Sequence, residues 1–114
     1  MCESDAAIRF VTVGAVEDIP NGTSRMFVVE GKAVGVFHVE HQFYALDNAC
    51  PHAGASLAHG HLDGCTVSCR IHHWRFCLKT GTYLDEPASR WNVQVVPVRV
   101  VEGHIQIGLP QAVD

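Results

Sequence analysis

Two short motifs in the middle of the chain place a cysteine close to a histidine. Cys50-Pro51-His52 is a C-x-H motif, Cys69-Arg70-Ile71-His72 is a C-x-x-H motif, and sixteen residues separate His52 from Cys69. Thiolate and neutral imidazole are ligands that transition metals prefer. The spacing therefore predicts a Cys2His2 metal site, with two loops that each supply one sulfur and one nitrogen. The candidate ligands are Cys50, His52, Cys69 and His72.

Two kinds of metal centre fit this set of ligands. A single zinc ion would take all four ligands in a tetrahedron, as in a zinc-stabilised binding module without a redox role. A [2Fe–2S] cluster would take both sulfurs on one iron and both imidazoles on the other. Zinc fingers usually keep like ligands together, whereas each motif here is mixed and the first spacer is the single Pro51. The mixed pairs favour a two-iron cluster, because each loop could then reach both irons, and zinc stays as the alternative.

Length and composition limit the class of protein. The chain has 114 residues, which is one domain's worth. Eight Lys and Arg against twelve Asp and Glu give a net charge of −4, which argues against binding a nucleic-acid backbone. No run of 18 apolar residues or secretory signal is present in the sequence, so we expect a soluble, cytoplasmic protein. In that compartment thiols stay reduced, and five Cys fit a disulfide framework poorly.

The elements that must position the two motifs are predicted to be strands. Val16–Ile19 is expected to make one helical turn at most, and Pro97 is expected to mark a sheet edge or a bulge. Turns are predicted at Glu30–Lys32 and Glu102-Gly103. The segment 48–81 has too little aliphatic content to form a core of its own, so we expect something else to hold it. Short β-branched or alternating runs predict strands at Phe10–Val13, Arg25–Val29, Ala33–Val39, Gln42–Leu46, Val93–Val101 and His104–Ile107.

The residues around the two motifs resemble the Rieske iron–sulfur family. The run Asp47–Leu57 is similar to the first cluster loop of Rieske ferredoxins, and Leu62-Asp63-Gly64 leads into the second loop as it does there. His72–Phe76 with Thr80-Gly81 matches the exit from that loop, and Asp85–Ala88 lies where the family has a proline-containing loop. The resemblance covers nearly the whole chain.

This resemblance implies an all-β Rieske fold over a single domain, residues 1–114. An antiparallel sandwich or barrel base, residues 1–46 and 82–114, would carry a small cluster-binding subdomain at 47–81. It also implies one [2Fe–2S] cluster per chain, with Cys50 and Cys69 on one iron and His52 and His72 on the other.

The function implied by the resemblance is electron transfer rather than catalysis. A cluster with four protein ligands has no vacant position for a substrate, so the chain would be a monomeric carrier with protein redox partners. It would take one electron from a flavoprotein reductase and pass it to a terminal oxygenase. An alternative is the small subunit of NAD(P)H nitrite reductase, which shares the fold. The net charge of −4 predicts basic patches on the partners.

The chain departs from the family pattern at the second loop. His73 follows the second predicted His ligand, where the family usually has Gly, and Arg70-Ile71 stands where Pro-Trp is frequent. Neither change removes a predicted ligand, but both alter the surface beside the predicted cluster.

Overall fold

The computed structural model describes residues 8–49, 56–71, 73–85 and 91–110. Within these ranges the chain is built from short antiparallel strands and two single 3-10 turns, Val16–Asp18 and Leu57–His59. Neither turn is long enough to cross a membrane as a helix. The strands are β1 (Ile8–Ala15), β2 (Thr23–Val29), β3 (Lys32–Val39), β4 (Gln42–Asp47), β5 (His61–Asp63), β6 (Thr66–Ser68), β7 (Arg75–Cys77), β8 (Val95–Val96), β9 (Val98–Val101) and β10 (His104–Pro110).

The strands form three antiparallel sheets, which confirms the all-β prediction. The first has the order β1-β10-β9, the second β2-β3-β4-β8 and the third β5-β6-β7. The third sheet lies between residues 61 and 77, inside the predicted cluster-binding subdomain. The limits of that subdomain, 47–81, stay a prediction.

Tight two-residue turns set the register of the hairpins. Val29 pairs with Lys32, so Glu30-Gly31 forms the whole connection between β2 and β3, and Glu40-His41 connects β3 to β4 in the same way. The residues of both turns have positive φ, between 53° and 82°. Two successive positive φ angles are typical of a type I′ turn, whose twist matches that of the flanking strands. The turn predicted at Glu30–Lys32 is confirmed.

The run Val93–Val101 is divided into two strands instead of forming one, and the sheet edge predicted at Pro97 is confirmed, because β8 and β9 on either side of it are both edge strands. The structure divides this run at Pro97: β8 pairs with β4 in the second sheet, whereas β9 pairs with β10 in the first. Proline has no N–H to continue a ladder, and its carbonyl instead accepts a hydrogen bond of 2.8 Å from the Gly108 N–H. Pro97 is thus the point at which the chain passes from one sheet to the other.

Two apolar clusters fill the interior. The base core lies between the first and second sheets. The loop core lies between the second and third sheets, and it confirms that the segment 48–81 does not form a core alone. Phe37, Val39 and Leu46 come from the base strands, and they pack against Leu57, Val67 and Phe76. The base core consists of Ile19, Val34, Val36, Ala45, Val96, Ile105, Ile107 and Leu109; the loop core adds Cys69, Leu78, Tyr83 and Val93 to the six residues above.

Candidate metal centre

Of the four predicted ligands, the structure describes Cys69. It follows β6 directly, is fully buried, and belongs to the loop core. The other three, Cys50, His52 and His72, lie outside the described residues. Among the residues that are described, no group of three or more His, Cys, Asp or Glu side chains could hold a metal ion. The described residues that flank the two predicted ligand loops are therefore compared with the predicted site.

Backbone hydrogen bonds close the second loop on itself. The Cys69 N–H donates to the Trp74 carbonyl at 2.7 Å, and the His73 N–H donates to the Cys69 carbonyl at 2.9 Å. His73 has φ +63°, a left-handed conformation that glycine adopts without strain. This backbone requirement explains why a glycine suits the position and why histidine, one of the residue types enriched at positive φ, can replace it. The loop confines Cys69 and the residues after it within one tight connection of the β6–β7 hairpin.

Asn48 fastens the first loop where it leaves and rejoins the fold. It is the one buried polar side chain among the described residues. Its Nδ2 donates to Ser56 Oγ at 2.8 Å, and its Oδ1 accepts from the Ala58 N–H at 2.9 Å. An isolated bridge between Ala49 and Ser56 completes the closure. The two ends of the segment that contains Cys50 and His52 are thus joined through the side chain of Asn48.

A glycine in the neighbouring strand makes room for this asparagine. A Cβ on Gly35 would lie 2.9 Å from Asn48 Oδ1, which is closer than real Cβ contacts. The pattern of the sequence indicated a strand through Gly35 and a loop beginning near Asn48, but the contact between them was missed. A lone Asn before a loop carries no signal that distinguishes it from an ordinary surface residue.

An ion pair joins the second loop to the segment that follows the third sheet. Asp85 accepts from the Arg75 backbone N–H at 3.0 Å and from its Nε at 2.9 Å, and Arg75 Nη2 lies 2.7 Å from Asp85 Oδ1. These contacts with Arg75 lower the pKa of Asp85 below its usual range. The Leu84 N–H also donates to the Arg75 carbonyl at 2.8 Å. The start of the predicted proline-containing loop, whose residues 86–90 are outside the described ranges, is therefore tied to β7.

An aromatic group covers one side of the second loop. The rings of Trp74 and Tyr83 stack with centroids 4.4 Å apart, and Trp91 meets Trp74 edge-on at 5.3 Å. Phe76 is fully buried beneath Tyr83, with ring centroids 5.6 Å apart. These rings pack against the same loop core as Cys69 and keep water from that side of it.

The two remaining described cysteines, Cys65 and Cys77, are free thiols at the opposite end of the third sheet. Cys65 Sγ lies 3.6 Å from Glu40 Oε1 and 3.9 Å from Tyr44 Oη. Burial raises the pKa of Tyr44, and the contact with Cys65 raises it further. Burial also raises the pKa of Cys77, but hydrogen bonds from Thr80 and Lys79 outweigh it and leave the pKa below the usual value. Both thiols lie at the β5–β6 turn end, away from Cys69.

The residues present fit an iron–sulfur cluster. Cys69 offers a sulfur that is shielded from water, and a metal bond compensates the cost of burying a thiolate. Hydrogen bonds at Asn48 and between Cys69 and Trp74 close both loops among the described residues, and such outer contacts are typical of metal sites.

Comparison with known proteins identifies the class. The Rieske [2Fe–2S] domain family matches residues 9–100, so the chain belongs to this family. Its cofactor is the Rieske [2Fe–2S] cluster and its role is electron transfer. The zinc-stabilised module considered as an alternative is thereby set aside.

Two relatives of this chain are ferredoxin components of dioxygenase systems. The chain is 32% identical over 102 residues to the ferredoxin component of the naphthalene 1,2-dioxygenase system of Pseudomonas putida, with 90% of this chain and 97% of the relative covered. It is 39% identical over 98 residues to the 3-phenylpropionate/cinnamic acid dioxygenase ferredoxin subunit of Escherichia coli K12, with coverages of 85% and 91%.

Two solved structures superimpose on nearly the whole chain. A ferredoxin from a complex of oxygenase and ferredoxin in carbazole 1,9a-dioxygenase superimposes with a TM-score of 0.81 at 31% identity, covering 92% of this chain and 97% of the other. A putative NADH-dependent nitrite reductase small subunit from Mycobacterium tuberculosis gives 0.83 at 26% identity, with coverages of 92% and 98%. The predicted resemblance to ferredoxin components of ring-hydroxylating dioxygenases is confirmed.

Proposed function

We propose that Cys50 and Cys69 bind one iron of the cluster and that His52 and His72 bind the other. The proposal is supported by the C-x-H and C-x-x-H spacing and by the burial of Cys69 at the closed end of the β6–β7 hairpin. When bound, such a cluster takes up and releases one electron. The protein's own residues fix the ligands: Asn48 joins the ends of the first loop, and the Cys69–Trp74 hydrogen bond closes the second.

We further propose that the chain passes this electron from a flavoprotein reductase to the terminal oxygenase of a ring-hydroxylating dioxygenase system. The observation that carries this proposal is the match, over 85% to 90% of the chain, with ferredoxin components of two such systems. The chain would act as a monomeric cytoplasmic carrier without catalytic residues of its own, because all four cluster positions for protein ligands are filled. Docking would be brief, as is usual for electron-transfer partners.

The second candidate is the small subunit of a nitrite reductase, which is favoured by the fit to the mycobacterial structure. The identity to that structure is lower than the identity to the dioxygenase ferredoxins. Stopped-flow mixing distinguishes the two: we expect the reduced protein to be reoxidised by the oxygenase component of 3-phenylpropionate dioxygenase. Reoxidation by a nitrite reductase large subunit, with none by the oxygenase, would contradict the proposal.

The ligand assignment is tested by Cys69→Ser. We expect purified C69S to lose iron, acid-labile sulfide and the rhombic EPR signal of the dithionite-reduced protein, because one iron would lack a sulfur ligand. Cys65→Ser is the matched control, since Cys65 lies at the opposite end of β6 and should not affect the cluster. Equal iron content in the two variants would show that the assignment of Cys69 is wrong.

A further inference from the structure

The described charges are distributed unevenly between the two ends of the molecule. We call the end where the segments Asn48–Ser56 and Cys69–Trp74 close the ligand-loop end. Arg70 is exposed there, at the tip of the β6–β7 connection. Arg75 and Asp85, which lie beside it, neutralise one another in their ion pair. The second loop therefore carries one uncompensated positive charge among its described residues.

The first loop adds little net charge to this end. Asp47 ends β4 just before the loop, and Lys32 begins the adjacent strand β3, whose next residue accepts a hydrogen bond from the Asn48 N–H. Asp47 and Lys32 have opposite charges and lie at the same end of the second sheet. Glu30, in the turn at this end, forms an ion pair with Arg9.

Four further acidic side chains, Glu17, Asp18, Glu40 and Asp63, lie at the other end. Glu40 contacts Cys65, which precedes β6, whereas Cys69 follows it, so the two ends of this short strand are roughly 13 Å apart along four residues. Asp63 closes the turn beside Cys65. The 3-10 turn that contains Glu17 and Asp18 also lies at this end, because the Ile19 carbonyl bonds with His38 Nδ1 near the end of β3.

Apolar side chains accompany the positive charge at the ligand-loop end. Ile71, next to Arg70, is 47% exposed, and Leu84, bonded through its N–H to the Arg75 carbonyl, is 42% exposed. Protein interfaces usually combine an apolar central area with polar groups around it, and Arg is frequent among them. Exposed aliphatic side chains beside one Arg have this combination.

We propose that Arg70, Ile71 and Leu84 form a locally cationic docking surface, which fits a redox partner whose contact face is apolar and carries a carboxylate opposite Arg70. The inference rests on the proposed electron-transfer function. The net charge of the chain predicts basic patches on its partners, whereas this proposal predicts a carboxylate on the partner. A partner that docks at the ligand-loop end contacts Arg70 and stays distant from the acidic side chains at the other end. At about 0.1 M salt the Debye length is about 10 Å, so charges at the far end are screened from the docking face.

Small redox reagents of opposite charge test the local field without a protein partner. The reduced holoprotein gives one electron to ferricyanide, a trianion, which becomes ferrocyanide, and no bond forms or breaks. Hexaammineruthenium(III), a trication, is the second oxidant. The ratio of the two rate constants cancels most of the effect of any change in midpoint potential, which is measured separately.

The decisive comparison is Arg70→Ala with Lys79→Ala. Both variants remove one positive charge, but Lys79 follows Leu78, whose N–H bonds to the Cys65 carbonyl at the acidic end. At about 0.1 M salt we expect R70A to lower the ratio of the ferricyanide rate to the ruthenium rate roughly tenfold, and K79A to change it less than twofold. Equal shifts in both variants would show that net charge, rather than a local cationic face, governs approach, and would overturn the proposal.

A measurement without electron transfer gives an independent readout. Hexacyanochromate(III) is a paramagnetic trianion that should broaden the methyl resonances of Leu84 in the wild-type holoprotein and not in R70A. No broadening in the wild type would also overturn the proposal. Neither result depends on which oxygenase or reductase is the partner, so failure of this surface is distinguishable from failure of the proposed function, which the stopped-flow assay with the oxygenase tests.

Discussion

At the scale of single residues, Asn48 and His73 show how much of the predicted site depends on side chains that are not ligands. Asn48 carries no signal in the sequence, and His73 is noticeable there only because the family usually has Gly at its position. One holds the ends of the first loop through two side-chain hydrogen bonds, and the other adopts the left-handed conformation that turns the second loop back to Trp74. Loss of either is expected to affect the protein through the backbone.

Asn48→Ala should destabilise the protein by about 2–3 kcal/mol, because a buried N–H and a hydroxyl lose their partners. Chemical denaturation of the purified protein measures this free energy of unfolding. Asn21→Ala is the control: Asn21 Oδ1 also accepts a backbone N–H, that of His41, but both residues are exposed and water replaces the bond. Equal losses in the two variants would contradict a bracing role for Asn48.

Substitutions at His73 should separate backbone from side-chain effects. A β-branched residue is disfavoured at positive φ, so we expect His73→Val to lower the free energy of unfolding by about 1–2 kcal/mol. His73→Gly should raise it by up to about 1 kcal/mol, since glycine adopts this conformation without strain. If both variants lose stability equally, the imidazole itself and not the turn is what the fold requires.

At the scale of elements, the hairpins were predictable from the sequence, but the connections between the sheets were not. Turn residues and short apolar runs indicated β2, β3 and β4 with small errors at their ends. The run Val93–Val101 is equally rich in β-branched residues, yet Pro97 divides it between two sheets. Local sequence reports which residues can extend, but strand partners are chosen by contacts that are distant along the chain.

The contact between Arg75 and Asp85 joins two such elements and should make stability depend on pH. Because the pKa of Asp85 is lower in the folded protein, the pair stabilises the fold fully above the unfolded pKa of about 3.9 and loses this effect as pH falls from there through the lowered folded pKa. We expect the stability difference between wild type and Asp85→Asn to be constant from pH 7 to about 5 and to shrink steadily below about 4. A difference that does not shrink at all below about pH 4, or that is unchanged in an Arg75→Ala background, would assign the effect to another contact.

At the scale of the whole molecule, the loop core makes the base and the cluster-binding region depend on each other. Leu46 lies on β4 of the second sheet but packs in the loop core, which also contains Cys69 and Phe76. Leu46→Ala should lower the free energy of unfolding by about 2–5 kcal/mol. We expect the visible absorbance of the cluster and the far-ultraviolet circular dichroism to be lost together, at a lower temperature than in the wild type.

Ile105→Ala provides the comparison from the base core. If the two cores unfold as one unit, this variant also shifts both signals together. Loss of circular dichroism at a lower temperature, with cluster absorbance lost at the wild-type temperature, would indicate that the cluster-binding region is stable by itself. That result would contradict the shared core.

The sequence by itself indicated a Cys2His2 metal site, the all-β architecture and the resemblance to the family, because ligand type, ligand spacing and turn residues are local properties. It indicated the same four ligands that the resemblance implies, of which the structure describes Cys69. Tertiary structure alone decided that Asn48 fastens the first loop, that Pro97 lies between two sheets and that Asp85 pairs with Arg75. Each of these depends on which distant residues come together, and pairings between residues 10 to 51 positions apart leave no periodic trace in the chain.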